Sequence, residues 1–252
     1  MSDDHILIEP VGHAPEVLTI RFNRPEKKNA ITDAMYLRMA EALNAANANP
    51  DIRVVAFLGT EGCFSAGNDM ADFLAFAMSG GKGKLAALEL LKALVAFEKP
   101  LVSGVDGLAI GIGTTLNLHC DLTVASGRSL FRTPFVDLAL VPEAASSLLG
   151  PKLIGHQRAF ALLAMGEGFS AEQALQAGLI WKVVAPEHVE AETLALATRL
   201  AAKPQQALKI ARDLVRGNRD EIMARIEEEG RHFVAQLQSA EARAAFEAFM
   251  RR

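Results

Sequence analysis

The stretch RVVAFLGTEGCFSAGND at 53–69 decides the architecture. Arg53 to Leu58 is a continuous apolar run, the pattern of a strand buried on both faces. A glycine-rich loop follows, and Asp69 is placed to cap a helix beginning MADFLAFAM. The same plan returns at Leu101 to Asp106, where a second buried strand leads through GLAIGIG into a short helix, TTLNLH. A looser third copy spans 180–202. Segments 53–78, 101–119 and 180–202 therefore predict an α/β fold of parallel sheets covered by helices, built from a repeated ββα unit.

Outward from this centre, His5–Glu9 and Glu16–Phe22 read as a hairpin around Gly12 and Pro15. Thr32 or Asp33 caps a helix running to about Asn47, with Met35, Met39, Ala42 and Leu43 on one face. SGGKG at 79–83 reads as a break, and Lys84–Phe97 as an amphipathic helix. Asp121–Ala125, Ser129–Phe131 and Leu179–Val184 read as strands, and Ser170 starts a helix closed by Gly178. From Pro186 onward the pattern is helical, with breaks near Lys203–Pro204, Gly217–Asn218 and Ser239. The expected division is a core over 1–185 and a helical region over 186–252.

Composition narrows the function classes. The chain has 252 residues, 50% hydrophobic, with 26 basic and 30 acidic side chains and a net charge of −4. This argues against a broad nucleic-acid face but leaves room for a local basic patch. Cys63 and Cys120 offer one possible pair and no disulfide framework, which points to a reducing compartment. The acidic start MSDDHILIEP is no signal peptide, no apolar run reaches membrane-spanning length, and FMRR carries no peroxisomal address. A soluble cytoplasmic protein is expected, with no nucleic-acid or membrane partner. No cysteine–histidine spacing fits a metal, and His119 beside Cys120 reads as a packed helix end.

Two features carry chemistry. The loops FSAGND and GLAIGIG both end at helix starts, where backbone N–H groups lack partners; they offer the amides of Asn68 and Ile112. Converging, the loops would hold two fixed donors for an oxygen anion. The second feature is Glu143, an acid within the otherwise apolar or small run LALVPEAA at 138–145. Read alone it suits the first turn of a helix, or it is a proton-moving carboxyl raised by desolvation. Position 63 is cysteine, so FSAG is no Gly-x-Ser-x-Gly elbow. Gly111–Gly113 lacks the third glycine of a dinucleotide motif, and Gly80–Lys84 lacks phosphate-loop spacing.

These pieces, in this order, resemble the enoyl-CoA hydratase/isomerase (crotonase) superfamily. The matching runs are NRPEKKNAI at 23–31, FSAGNDM at 64–70, GLAIGIGTTL at 107–116, CDLTVAS at 120–126, LFRTPFVDLALVPEAASSLL at 130–149 and GEGFSAEQALQAGLIWKVV at 166–184. The resemblance implies a crotonase-like spiral of ββα units with a helical C-terminal trimerisation region, and a homotrimer or dimer of trimers. It implies an acyl-CoA thioester as substrate, with coenzyme A part of that substrate and no separate cofactor or metal.

The thioester oxyanion hole maps onto the backbone N–H of Asn68 and Ile112, where isoleucine replaces the family's glycine. The two hydratase glutamates map onto Thr115 and Phe135, neither of which moves a proton at neutral pH. The sequence instead is similar to the Δ3,Δ2-enoyl-CoA isomerase branch, whose single glutamate falls on Glu143. Substrate contacts are then expected from Lys27, Lys28, Ala66, Gly67, Asp69, Met70, Gly111, Thr115, Phe135 and Leu138, with Arg24 a further phosphate partner and Phe73 lining the cavity. Other expected readings are a hydratase, dehalogenase or C–C lyase of the same fold, and a non-catalytic trimeric acyl-CoA-binding paralogue.

Overall fold

The computed structural model describes residues 5–72 and 85–250. Phe73, the helix beyond Asp72 and the SGGKG break lie outside the described residues. The strands divide between two sheets. The larger is six-stranded, ordered β1 (Ile6–Val11), β2 (Ala14–Phe22), β3 (Val54–Leu58), β5 (Leu101–Val105), β7 (Leu122–Ser126) and β10 (Lys182–Val184). The smaller is four-stranded, ordered β4 (Cys63–Ser65), β6 (Leu108–Ile110), β8 (Leu130–Arg132) and β9 (Phe169–Ser170). Pairing is parallel except for the β1–β2 hairpin and the β8–β9 pair.

The odd strands β3, β5 and β7 build the large sheet, and each is followed by a short strand of the small one. That alternation is the spiral. Its third turn is β7–β8, not the segment at 180–202. β10 adds to the large sheet beside β7 and leads into helix with no small-sheet strand between. β10 is also shorter than expected, because Leu179 and Ile180 are buried in the turn before it.

β3 shows why the sequence does not alternate. Val55 and Phe57 face the main core with α1 (Asp33–Ala48) and α2 (Ala86–Ala96). Val54 and Ala56 face the opposite cluster with Ala197 and Ala201 of α7 (Val189–Ala201). Both pleat faces are covered, so every residue is apolar. Truncating Phe57 to alanine there should cost about 3–5 kcal/mol. Thr32 caps α1 by accepting from the Met35 amide (3.4 Å), and Ser170 with Gln173 forms a reciprocal capping box on α6 (Ala171–Ala177).

Between these lie α3 (Ile112–Thr115), α4 (Ser146–Ile154) and α5 (His156–Leu163); after them come α8 (Gln205–Arg216), α9 (Arg219–Leu237) and α10 (Ala240–Met250). Residue 186 marks a change of secondary structure, but the core runs across it. Ile222, Ile226, Phe233, Leu237 and Phe246 belong to the same buried cluster as Phe57 and Phe131. Phe233 and Leu237, in the helical region after 186, are buried within their own chain. Ile210, Leu214 and Val215 of α8 are exposed. Among the described residues, no helix is long and apolar enough to cross a membrane.

Candidate active site

The two glycine turns meet. Gly67 has φ +91° and Gly111 φ +55°, backbone that favours glycine. A Cβ on Gly67 would lie 2.8 Å from the Ile110 carbonyl oxygen, and one on Gly111 would lie 4.0 Å from the Gly67 Cα. The approach of the two chains therefore requires the missing side chain at 67. Asn68 bridges to Ile31 through its neighbours: Ile31 N donates to Gly67 O (2.8 Å) and Asp69 N to Ile31 O (2.9 Å). This ladder skips the Asn68 N–H. Ile112 is the first residue of α3, where an N–H has no intrahelical acceptor.

Beside these turns lies a cavity of about 590 Å³. Ala66, Gly67, Asn68, Met70, Gly111, Phe135 and Leu138 all line it. Its far wall, unforeseen in the sequence, comes from the C-terminal helices: Phe233 of α9, and Ala245 and Ala248 of α10. Arg132 and Asp137 share its rim and pair with each other (3.0 Å).

Glu143 is half-buried beside this cavity and is not among its lining residues. The Thr115 hydroxyl, fully buried on α3, donates to its Oε1 (2.5 Å). Burial pushes the Glu143 carboxyl up to about 8; the Thr115 bond pulls it down, and the charge of Glu229 pushes it further up. Glu143 is not in a helical first turn. Ala144 (φ 61°) and Ala145 (φ 53°), both left-handed, separate it from α4.

The turn that carries it is held from behind. His119 is buried, and its Nε2 lies 2.8 Å from the Ala144 carbonyl oxygen. Burial and the Arg216 charge push its pKa down to about 3, so the ring is neutral. Nε2–H then donates to Ala144 O, while Nδ1 accepts from Arg216 Nη2 (3.3 Å). The packed-helix-end reading of His119 understates this contact.

Tyr36, the chain's single tyrosine, links the two halves. It is buried on α1, its hydroxyl donates to Asn68 Oδ1 (2.5 Å), and the Glu143 charge is near enough to raise its own pKa. The sequence signal was present, since Tyr36 abuts the apolar face of α1 and brings a polar tip into it.

The remaining expected contacts fall elsewhere. Thr115, Ile112 and Glu143 are not among the cavity-lining side chains. Arg24 is engaged with Asp69 (2.6 Å) and with the Ala30 carbonyl (3.0 Å), which staples the 23–31 loop to the first glycine turn. Asp69 Oδ1 also accepts from the Ala71 amide (2.9 Å). Burial opposes its ionisation, yet the Arg24 and Ala71 bonds hold its carboxyl below the usual range. Lys27 and Lys28 are exposed and pair with no carboxylate among the described residues. The Lys28 carbonyl accepts from the Ala66 amide (2.9 Å), which places that loop at the cavity mouth. Cys63 and Cys120 are free thiols, pushed by burial up to about 11 and about 12.

A spiral of two mostly parallel sheets, two converging amide turns and a desolvated carboxyl define the class. Residues 13–252 match the family described as Enoyl-CoA hydratase/isomerase, and the chain belongs to it. The fold is the crotonase fold. A crystal structure of an enoyl-CoA hydratase/isomerase from Pseudoalteromonas atlantica T6c is 36% identical, with a TM-score of 0.90 over 98% of this chain and 97% of that one. Among curated relatives, enoyl-CoA delta isomerase 2 of Rattus norvegicus is 36% identical over 219 residues, 84% of this chain and 55% of that protein. This chain thus spans about half the length of that relative. The 2,3-dehydroadipyl-CoA hydratase of Escherichia coli (strain K12) is 30% identical over 83% of this chain and 82% of that protein.

Proposed function

We propose that the protein is an enoyl-CoA isomerase that shifts a double bond of an acyl-CoA thioester from the 3 to the 2 position. One observation carries this reading: a single carboxyl, Glu143, pushed up to about 8 by desolvation and held by the Thr115 hydroxyl, at one of the two positions where a hydratase of this family has a glutamate. Glu143 as carboxylate removes a proton from C2. The thioester oxygen takes the charge as an enolate and is held by the Asn68 and Ile112 amides. The carboxylic acid so formed returns the proton at C4. Protons balance on one residue and no water is consumed, which suits walls of Phe135, Leu138 and Leu140.

Lys27 and Lys28 meet the phosphates of coenzyme A at the cavity mouth, as exposed cations that pair with no carboxylate among the described residues. Ile210, Leu214 and Val215 are apolar surface for a homotrimer or dimer of trimers, and the free thiols suit the cytoplasm. Incubation with a 3-enoyl-CoA and, separately, with a 2-enoyl-CoA in water tests the reaction. Conjugated 2-enoyl-CoA should form from the first, with no 3-hydroxyacyl-CoA from the second. Hydration without double-bond migration refutes the reading.

A further inference from the structure

We propose that Glu229, a carboxylate on α9, is a positioning residue that locks the turn carrying Glu143. The proposal rests on the reading of Glu143 as the base. Ile222, Ile226, Phe233 and Leu237 form the buried stripe of α9, and Glu229 lies within that stripe, 6% exposed. An acid is placed there only with partners. Its Oε2 accepts from the Ala145 amide (2.6 Å), and its Oε1 accepts from the Ser147 amide (3.0 Å) and the Ser147 hydroxyl (2.6 Å). Three donors converging on two oxygens match an ionised carboxylate, which only accepts. Arg225, one turn earlier on α9, donates to the same Ser147 hydroxyl (3.0 Å).

These bonds do two things for Glu143. They cap α4 from another helix, satisfying amides at its N-terminus that its own N-cap residue, Ala145, cannot serve. They also fix the two left-handed alanines that aim Glu143. Such backbone is unfavourable for L-residues and persists only where the surroundings over-determine it. His119 holds Ala144 O from one side and Glu229 holds Ala145 N from the other.

Glu229 also acts through its charge. Tyr36 of α1, Thr115 of α3 and Glu229 of α9 face Glu143; Asp33 lies further along α1. Burial pushes the Glu229 carboxyl above its usual range, while the Ser147 and Ala145 bonds and then the Arg225 charge favour its ionised form; Arg212 and Arg216 of α8 stand behind His119. Of the groups on Glu143, Glu229 brings negative charge and favours the protonated form.

Glu229→Gln keeps the size and one acceptor, but it loses the charge and turns an amide nitrogen toward a donor. With a 3-enoyl-CoA, kcat should fall about 10-fold while KM stays within about twofold, the signature of lost alignment. The Glu143 carboxyl titration, followed by infrared difference spectroscopy without substrate and assigned as the band absent in Glu143→Gln, should move to lower pH. Glu229→Asp retains charge but not reach, so its midpoint should stay while kcat falls. It also serves if the glutamine variant does not fold. An unmoved midpoint in folded Glu229→Gln, or parental kcat in both variants, overturns the proposal. If the parent protein shows no isomerisation, the isomerase reading fails, while the substrate-free titration still decides the role of Glu229.

Discussion

The two halves of the site are built differently. The donor half is local: Gly67 and Gly111 each close a strand-to-helix turn, and the Asn68 and Ile112 amides follow from chain geometry within a few residues. The base half is assembled from afar. Thr115 reaches Glu143 across 28 residues, His119 reaches Ala144 across 25, and Glu229 reaches Ala145 across 84. The donors are set by the backbone, which tolerates side-chain change; the base is set by side chains, and single substitutions should move it. This contrast is open to direct attack.

The largest effect is expected at the base itself. Glu143→Gln should keep acyl-CoA binding yet lower isomerisation by a factor of about 10² or more. Steady-state rates beside a binding titration check this, and unchanged turnover would remove Glu143 from the mechanism. The same variant has a second readout. The native state holds the Glu143 proton more tightly than the unfolded chain, since its pKa rises from 4.5 to about 8. That stability is fully present below the unfolded value and is lost as pH rises through about 8. Glutamine has no proton to lose, so Glu143→Gln should be more stable than the parent at alkaline pH, by roughly 2–5 kcal/mol. Denaturant unfolding in acid and in alkali checks both the sign and the pH window.

Next comes the donor half. Gly67→Ala places a Cβ 2.8 Å from the Ile110 carbonyl oxygen at φ +91°. Stability should drop by about 1–3 kcal/mol and activity by about 10–100-fold, reaching at most the low end of removing one oxyanion donor. Asn68→Ala should cost far less, because the donor there is backbone; equal losses in the two variants would break the local account of this half.

A smaller and more specific change is expected at Thr115. Its hydroxyl favours the ionised form of Glu143, so Thr115→Ala should raise the base pKa further above about 8. The acid limb of kcat/KM should then move to higher pH. Activity at neutral pH should fall about fivefold, while the alkaline plateau changes little. A limb that stays in place would detach Thr115 from the base. The smallest effect belongs to Lys28→Ala, where KM for an acyl-CoA should rise about two- to fivefold at low salt and converge with the parent at high salt.

The same division explains what the sequence disclosed. β3 and the glycine turns were legible because a strand covered on both faces must be uniformly apolar, and a turn before a helix must spend a small residue. The cap at Thr32 and the breaks at Gly178 and Gly217 were legible for similar local reasons. The third turn of the spiral was misplaced at 180–202 because β10 has a strand-then-helix pattern without its small-sheet partner. Arg24 was read as a phosphate contact because its partner, Asp69, is 45 residues away.

Glu229 was hidden in the run EEE at 227–229, which reads as a solvated face. The usable signal was its spacing from Ile222, Ile226 and Phe233, which puts an acid on the apolar stripe. Glu143 was legible through the family pattern, but its strained turn was not, since nothing in Ala144–Ala145 announces a left-handed backbone.

The span of 84 residues between Glu229 and Ala145 also orders events during synthesis. A chain leaves the ribosome N-terminus first, so both sheets, the glycine turns and Glu143 emerge before α9 exists. The nascent protein can collapse around β3 and α1 early, yet its base remains unaimed until α9 is made and docks. On the proposed reading, thioester chemistry is thereby postponed until the chain has closed over the cavity lined by α9 and α10.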